Sequence, residues 1–573
     1  MAMVSVLVVA ACVVVLSVVG VRGYQDDGTR AARPWPPVKT WNKSASGSVA
    51  TLNPCTFVFT DKSAQPSGVE RAIDLYKHVI FGNAGPCTSE DKARMLAGGD
   101  VLTGIEITAQ HPIPGVAKNH EDYALEIPAG GTAMLTATSY EGVLRGLETF
   151  SQLVLHSALQ PNDARTWHVA DVPLQIEDAP TFGHRGLLID VARTFLPVPV
   201  IKTIIDGMMY SKLNILHVHL TDSQAFPLQL HQNPEITFHG AQSADMVYSQ
   251  DDFRELIQYA TDRGVRVYPE IDSPGHTRAM GLAPTLHDIV SCANVSNWGK
   301  CCNEPPCGQL NIASQHMMQV LRNVTSEVAA LFSDEYFHLG YDEINFNCWK
   351  QDASVQRYLK EHNVTINELL LTFFKNQRDM LHDVAPAKKR LYWEEASKQN
   401  PPLPLDKSTI VQVWGPPATL HEVLNDTDSD VIVSTSTDFY LDCGLGNMFG
   451  QASWCDPYKT WWHMYSHDIL ANVSKSDASR ILGGESCSWG ELAGPDNSLV
   501  RIFPRASAYG ARLWQYANTV SQREANLRIA DHAERLSRRG IPVSGTTLQY
   551  CRLYPDMCYG FLDNKQHDGN IHR

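Results

Sequence analysis

The 573-residue sequence predicts a (β/α)8 barrel, or TIM barrel, preceded by a smaller α+β domain. Eight short apolar segments occur after residue 179, and most are separated by segments with apolar residues at helical spacing. They extend over about 310 residues, which suits a barrel of typical size with insertions. Before residue 179, short alternating strands are mixed with helices, as is typical of an α+β layer.

Each predicted barrel strand is an apolar run that ends in polar residues. The eight runs are GLLIDVAR, NILHVHLTD, VRVYPEID, EYFHLGYDE, RLYWEEA, TIVQVWG, DVIVSTSTDFYLD and RILGGESCSWGE. Helices are predicted between them at 198–211, 252–263, 313–332 and 367–381. The active site of such a barrel forms at the carboxyl ends of its strands, so the polar residues there are the functional candidates.

The chain divides into three parts. Residues 1–23 contain an apolar stretch followed by small residues, which predicts a secretory signal peptide; an uncleaved membrane anchor is the alternative. Residues 24–178 form the predicted α+β domain and begin with a polar, extended lead-in up to residue 48. Residues 179–573 form the barrel and a C-terminal extension.

Composition is that of an exported globular protein. The net charge of −15 argues against nucleic acid as a partner. Removal of Cys12 with the signal leaves twelve of the thirteen cysteines, an even number that agrees with export to an oxidising compartment. Local pairs are predicted between Cys55 and Cys87, Cys443 and Cys455, and Cys551 and Cys558. Five further cysteines between residues 292 and 348 cannot be paired from the sequence.

Six Asn-x-Ser/Thr sequons fit a secreted glycoprotein. They lie at Asn42, Asn294, Asn323, Asn363, Asn425 and Asn472. The CCNEPPC segment could also be interpreted as a metal site, but no histidine lies nearby at ligand spacing. The GLGNMFG segment does not open a helix after a first strand, so we interpret it as a loop and not as a dinucleotide site.

Acidic, basic and aromatic side chains follow nearly every predicted barrel strand. The candidates include Asp190, Arg193, His217, His219, Asp222, Glu270, Asp272, His276, His338, Asp342, Glu343, Trp393, Glu394, Glu395, Trp414, Tyr440, Asp442, Trp489 and Glu491. Sugar faces stack on aromatic rings, and sugar hydroxyls bond to carboxylates and guanidinium groups. Solvent exposure alone explains polar strand ends but not three tryptophans, so the set predicts a carbohydrate site without a metal or other cofactor.

Several of these segments resemble glycoside hydrolase family 20, the β-N-acetylhexosaminidases. The matching segments include RGLLIDVARTFLPV, NILHVHLTDSQAFP, YPEIDSPGHT, HLGYDE, YWEEA, VQVWG, FYLDCG, SWCDPYKTWW and GGESCSWGE. The resemblance covers essentially the whole mature chain and includes the family's companion domain. It implies exo-hydrolysis of terminal N-acetylglucosamine or N-acetylgalactosamine from oligosaccharides or glycoconjugates, by a retaining mechanism with an oxazolinium-type intermediate.

In this mechanism the substrate's own acetamide oxygen attacks the anomeric carbon. The resemblance implies that Asp342 orients the acetamide and that Glu343 is the general acid and base. We expect an ionised Asp342 to raise the pKa of Glu343, so that Glu343 keeps a proton to donate. Adjacent residues of a regular strand point to opposite faces, so we also expect a turn or bulge to bring both carboxylates into one cavity.

The resemblance also implies roles for the other candidates. Arg193 would bind ring hydroxyls and Tyr440 the acetamide carbonyl, Asp442 and Glu491 would bind outer hydroxyls, and Asp222 with His276 would position the acid. Trp393, Trp414 and Trp489 would form the walls. Relatives commonly dimerise, so a homodimer is expected.

Three positions depart from the family pattern. Tyr341 stands where a second glycine is usual, and its side chain could narrow the site. The segment HVH replaces a common HWH, and Ser223 stands where a second aspartate is frequent. No basic residue follows Asp442, which predicts a preference for neutral substrates.

Three functional alternatives follow. The first is a secreted or lysosomal exo-hydrolase, and the second is an inactive sugar-binding relative blocked by Tyr341. The third, an endo-acting chitinase, is disfavoured because the D-x-x-D-x-D-x-E motif is missing. Chitin fragments, N-glycans and glycolipids remain open as natural substrates.

Overall fold

A closed barrel of eight parallel strands forms the larger part of the computed structural model, as the sequence predicts. The structure describes residues 32–82, 87, 100–157, 166–293, 295–400 and 403–563; the predicted signal peptide and the sequon at Asn294 lie outside them. The barrel strands are β8 His184–Asp190, β9 Ile215–His219, β10 Arg266–Glu270, β13 Tyr336–His338, β14 Lys389–Trp393, β15 Thr409–Val413, β16 Asp430–Val433 and β17 Ile481–Ser488. The order around the barrel is β10-β13-β14-β15-β16-β17-β8-β9.

The first part of the chain forms a mixed seven-stranded sheet. Its strands are β1 Thr40–Leu52, β2 Val58–Asp61, β3 Asp100–His111, β4 Tyr123–Ile127, β5 Gly131–Ser139, β6 Leu155–Ser157 and β7 Thr166–Asp178. The order is β1-β3-β5-β4-β7-β6, with β2 beside β3 and a further pairing of β1 with β7. The predicted lead-in up to residue 48 is therefore only partly correct, because much of it belongs to β1. Two minor strands of the barrel domain, β11 Val290–Ser291 and β12 Gln309–Leu310, pair with each other.

Helices cover the sheet and alternate with the barrel strands. The α-helices are Val69–Phe81, Tyr140–Leu153, Val198–Tyr210, Pro234–Gly240, Gln250–Thr261, Gln315–Leu331, Phe346–Gln351, Ala353–His362, Ile366–Val384, Pro417–Asp426, Ser436–Phe439, Trp461–Ser466, Lys475–Ala478, Ser498–Ile502, Arg505–Trp514, Gln522–Arg538, Gln549–Leu553 and Pro555–Asp563. The 3-10 helices are Arg278–Gly281, His287–Ile289, Trp298–Lys300 and Glu394–Ser397. Among the described residues, none of these helices combines the length and apolar character that a bilayer crossing requires.

One predicted strand is shorter than the sequence suggests. The run DVIVSTSTDFYLD predicts a single strand, but β16 ends at Val433 and the helix Ser436–Phe439 follows. The hydroxyls of Thr435 and Thr437 donate to the Asp438 carboxylate, and such local bonds stabilise a turn at the expense of a strand. The chain returns to the sheet edge at Tyr440, which bridges to β17.

A buried ion cluster joins the sheet to the base of the barrel. Glu121 precedes β4, and both its oxygens lie 2.7 Å from a guanidinium nitrogen of Arg185 in β8. Arg145, in the fully buried helix Tyr140–Leu153, donates to the same carboxylate at 2.7 Å. The two guanidinium groups outweigh burial and hold the pKa of Glu121 below its ordinary value. The sheet is thus fixed at the end of the barrel opposite the strands' carboxyl ends.

Five disulfides are present among the described residues, and they include the three predicted pairs. Two further pairs join Cys292 to Cys348 and Cys302 to Cys307. Cys301 and Cys487 are buried free thiols. Cys487 lies inside β17, in the barrel wall.

Candidate active site

A cavity of about 430 Å³ opens at the carboxyl ends of the barrel strands. Nine of the predicted site residues line it, namely Arg193, His276, Asp342, Glu343, Trp414, Tyr440, Asp442, Trp489 and Glu491. Asp222 and Trp393 do not line it: both are buried, with exposures of 0% and 1%. They act on this cavity only through the residues that they contact.

The backbone after β13 turns sharply and brings the two adjacent acids into the same cavity. Gly340, Tyr341 and Glu343 have φ angles of +73°, +89° and +51°, in the left-handed region that most side chains avoid. A side chain at Gly340 would collide with Asp272, whose Oδ1 would lie 1.8 Å from its Cβ. The expected turn at the end of the strand is therefore confirmed.

Tyr341 does not narrow the cavity, contrary to the expectation from the sequence. Its side chain is fully buried and points away, against Phe373, Phe374 and Tyr392. Its hydroxyl has no hydrogen-bond partner. The ring packs beneath the turn that carries Asp342 and Glu343, so its role is structural.

His276 links the acid pair to the barrel. Its Nε2 lies 3.2 Å from Glu343 Oε2 and 3.8 Å from Asp342 Oδ2, while its Nδ1 lies 3.1 Å from Asp222 Oδ1. The Asp222 carboxylate is the main attraction that overcomes burial and raises the pKa of His276 well above its ordinary value. His276 is thus an imidazolium with a carboxylate on each side.

The direction of the predicted pKa shift within the acid pair is wrong for the free protein. Burial, together with the neighbouring Asp272 carboxyl, raises the pKa of Asp342 well above its ordinary value. Burial also opposes ionisation of Glu343, but the hydrogen bond and charge of His276 outweigh it and lower the pKa of Glu343. The expected shift takes only the two adjacent acids into account, whereas Asp272 and the charge of His276 determine the pKa values in the fold.

Arg193 binds a ring of carboxylates on one side of the cavity. Its Nη1 lies 3.1 Å from Asp190 and 3.0 Å from Asp222, and its Nε lies 2.6 Å from Glu304. Glu491 Oε1 is farther from the guanidinium, 3.6 Å from Arg193 Nε. Burial raises the pKa of Glu491 to about 8, although the charge of Arg193 acts in the opposite direction. The guanidinium is therefore held rigidly at the cavity edge.

Aromatic rings form another part of the cavity wall, and the Arg193 guanidinium lies 5.1 Å from the centroid of one of them, Trp489. Trp414 donates its indole N–H to both oxygens of Glu395 at 3.0 Å, which fixes the plane of the ring. Tyr440 and Trp489 have ring centroids 6.0 Å apart and line the cavity together. Trp393 lies behind Trp489 and donates to Glu270 at 2.8 Å. Such a wall suits the apolar face of a sugar ring.

A chain of alternating imidazole and carboxyl groups continues below His276 into the barrel. His219 bridges Asp222 at 3.1 Å and Glu270 at 2.6 Å. His217 then bridges Glu270 at 3.2 Å and Glu485 at 2.8 Å. Because every link is buried, each carboxylate is stabilised by imidazole neighbours, and the chain fixes the orientation of His276.

Several cavity residues were missed by the sequence analysis because they lie in loops without periodicity. They are Trp298, Asn303, Glu304, Pro305, Gly446, Asn447, Met448, Phe449, Ser453, Trp454 and Leu492. Glu304 lies between the disulfide-bonded Cys302 and Cys307, and Phe449 lies in the segment predicted to be a loop. Their only sequence signal is the presence of aromatic residues beside cysteines.

The chain was compared with known protein families, curated proteins and solved structures. Residues 182–517 match the glycosyl hydrolase family 20 catalytic domain, and residues 33–153 match a beta-acetyl hexosaminidase-like domain. "Beta-hexosaminidase 1" of Coccidioides posadasii is 30% identical over 87% of both chains. "Chitooligosaccharidolytic beta-N-acetylglucosaminidase" of Bombyx mori is 34% identical over 77% of this chain and 75% of its own length.

"Beta-hexosaminidase subunit beta" of Felis catus is 35% identical over 73% of this chain and 74% of its own length. Among solved structures, the Flavobacterium johnsoniae chitobiase superposes with a TM-score of 0.72 at 25% identity, covering 91% of this chain and 74% of that one. The chain therefore belongs to glycosyl hydrolase family 20 and is a glycoside hydrolase of the β-hexosaminidase type.

Proposed function

We propose that Asp342 and Glu343 carry out the family's retaining, substrate-assisted removal of terminal N-acetylglucosamine or N-acetylgalactosamine. The single observation that supports this assignment is that both carboxyl groups line one cavity, with His276 within 4 Å of each. Asp342 accepts the acetamide N–H and aligns the acetamide oxygen with the anomeric carbon. Glu343 protonates the departing glycosidic oxygen and then removes a proton from the incoming water.

The other cavity residues hold the sugar for this reaction. Arg193 binds ring hydroxyls, because its guanidinium is fixed by Asp190 and Glu304 at the cavity edge. Tyr440 donates its hydroxyl to the acetamide carbonyl, and Asp442 and Glu491 accept outer hydroxyls. Trp414 and Trp489 enclose the ring and exclude water, which strengthens these polar contacts.

The mouth of the cavity is suited to the sugar beyond the scissile bond. The rings of Trp298 and Phe449 lie parallel with centroids 6.2 Å apart, and Trp454 is 67% exposed beside them. Among the described residues that line this cavity, one is an arginine and several are acids, so anionic sugars are disfavoured and neutral glycans preferred. A sulfated N-acetylglucosaminide should be hydrolysed far more slowly than its neutral parent.

The roles of the acid pair are tested with two isosteric variants. Glu343→Gln should lose about 10²- to 10⁴-fold in kcat/KM on chitobiose, because kcat/KM reports the step in which the glycosidic oxygen is protonated. The loss in kcat/KM should be much smaller on a dinitrophenyl N-acetylglucosaminide, whose leaving group needs no proton, whereas kcat should stay low on it because the intermediate lacks its base. Asp342→Asn should lose activity on both substrates and should also lose affinity for a thiazoline mimic of the intermediate.

Asp251→Asn is the matched control, because Asp251 also belongs to an adjacent acid pair but its side chain is 89% exposed on a helix. It should keep full activity. A Glu343→Gln enzyme whose kcat/KM is equally impaired on both leaving groups would contradict its assignment as the acid.

We further propose passage through the secretory pathway, to the cell exterior or a lysosome-type compartment, and assembly as a homodimer. The five disulfides and the sequons support export. Fractionation of the expressing cells, and light scattering on the purified glycoprotein, would test the two parts separately.

A further inference from the structure

Three potential metal ligands converge outside the cavity, at the base of the loop that carries Tyr440 and Asp442. They are Asp438, in the helix Ser436–Phe439, and His463 and His467, in and just after the helix Trp461–Ser466. We propose that these three side chains bind a divalent transition metal ion, with Zn²⁺ the best match. The sequence predicts no metal, so this proposal departs from that prediction.

The three ligand atoms face one another. Asp438 Oδ1 lies 2.8 Å from His463 Nε2 and 3.0 Å from His467 Nδ1, and the three atoms all lie within 4.8 Å of one another. Histidines four residues apart at the end of a helix are on the same side, and they present one nitrogen each to the same oxygen.

Two hydroxyl groups fix the orientation of the Asp438 carboxylate. Asp438 Oδ2 accepts the hydroxyls of Thr435 at 2.8 Å and Thr437 at 2.6 Å, so Oδ1 is the oxygen that faces the imidazoles. Outer hydrogen bonds of this kind orient metal-binding carboxylates and increase metal affinity. Because His463 is 45% exposed and His467 is 22% exposed, water and an ion can reach the group.

The dimensions suit zinc after a small expansion. Tetrahedral zinc lies about 2.0–2.2 Å from imidazole nitrogen and carboxylate oxygen, which places neighbouring ligand atoms about 3.3 Å apart. The observed separations of 2.8 and 3.0 Å would therefore open by about 0.3–0.5 Å. Each coordinating nitrogen must give up its proton, either to the other ring nitrogen or to solvent, and water would complete the coordination.

The ion would join both ends of a loop that forms part of the cavity. Residues 440–460 connect the two helices and include Tyr440, Asp442 and Trp454, all of which line the cavity. The disulfide between Cys443 and Cys455 closes the middle of the loop, but it does not join the helices at its base. A bound ion would reduce the motion of the loop and take no part in the reaction.

Zinc binding to the chelator-treated, desalted glycoprotein tests the proposal. Titration calorimetry at neutral pH should show one equivalent of zinc in the wild type, and His463→Ala and His467→Ala should each weaken it by at least about tenfold. His316→Ala is the matched control, because His316, on an exposed helix, also bonds an aspartate, Asp288, but no second imidazole among the described residues bonds that aspartate. This control should bind zinc like the wild type.

Hydrogen exchange supplies the second measurement. Zinc should slow amide exchange within residues 440–460 of the wild type and of His316→Ala, and it should have no effect on His463→Ala. All four proteins should hydrolyse a chromogenic N-acetylglucosaminide at similar rates without zinc, which shows that they are folded. The proposal is overturned if the wild type binds no zinc at 100 μM, or if the double variant His463→Ala, His467→Ala binds it unchanged.

Discussion

Tyr341 offers a quantitative test of how the turn that carries the acid pair is stabilised. Three contributions meet at this residue: its buried ring packs against Phe373, Phe374 and Tyr392, its hydroxyl is buried without a partner, and its φ is +89°. Losing a buried aromatic side chain costs about 3–5 kcal/mol. A left-handed φ costs a non-glycine residue about 1–2 kcal/mol.

These contributions predict an order of stability among four proteins. Tyr341→Phe should gain up to about 1 kcal/mol, because it removes an unpaired buried hydroxyl and keeps the ring. Tyr341→Gly and Tyr341→Ala should both be destabilised. The glycine variant should be the more stable of the two by up to about 1 kcal/mol. The reason is that the relief of backbone strain outweighs the destabilisation that comes from the greater conformational freedom of glycine in the unfolded chain.

Urea unfolding followed by tryptophan fluorescence would give the differences in the free energy of unfolding. A Tyr341→Ala protein as stable as Tyr341→Gly would refute the argument from the backbone angle. The kcat/KM of Tyr341→Phe should stay within about twofold of the wild type, because the ring does not line the cavity. A large loss in this variant would show that the hydroxyl supports the acid pair.

Two further predictions concern ion pairs. The Asp334 carboxylate accepts two hydrogen bonds from Arg266, at 2.7 and 2.8 Å, and its pKa is lowered to about 2. The ionised carboxylate therefore contributes roughly 2–3 kcal/mol to the free energy of unfolding above the pKa of about 3.9 that it has in the unfolded chain. This contribution is lost as the pH falls through about 2. Asp334→Asn should therefore be clearly less stable than the wild type at pH 6, and the difference in urea midpoint should shrink toward pH 2; a difference independent of pH would contradict the ionic explanation. Arg193→Lys should lose about 10²-fold in kcat/KM on chitobiose, because an ammonium group cannot replace the fixed guanidinium fork. Arg263→Lys is the control: Arg263 pairs with Asp206 outside the cavity, so this variant should keep the kcat/KM of the wild type.

Much of the fold could be predicted because its signals are local. Each barrel strand is a short apolar run between helices, and all eight were found; β9, Ile215–His219, lies within the predicted run NILHVHLTD. The failures occurred where side chains override the pattern. Thr435 and Thr437 end β16 early by bonding Asp438, a contact that apolar periodicity cannot reveal.

The candidate site was predictable where residues directly follow strands, and it was not predictable in the loops. Asp342 and Glu343 end a buried strand, so a barrel places them on the active face. Glu304 and Trp454 reach the cavity from long loops, and their positions depend on the disulfides at Cys302 and Cys443. Electrostatic detail was least accessible, because Asp272 lies 70 residues before Asp342 and is brought near it only by the fold.

The pKa values of the acid pair lead to a prediction about the proton that the reaction needs. In the free protein Asp342 binds a proton more strongly than Glu343 does. Acid catalysis requires the opposite, with the proton on Glu343. An acetamide N–H that donates to Asp342 favours the ionised form of that carboxyl, and the new negative charge favours the protonated form of Glu343. Binding should therefore move a proton from one carboxyl to the other, with no net exchange with solvent.

This prediction can be measured with N-acetylglucosamine, which carries the acetamide N–H that Asp342 accepts. Calorimetric titrations in buffers of different ionisation enthalpy count the protons taken up or released on binding. At a pH where His276 keeps its charge, the wild type should exchange none, whereas Glu343→Gln, which cannot accept the proton, should release one. Release of a full proton by the wild type would show that Glu343 does not receive it, and the acid would then have to be protonated from solvent before each turnover.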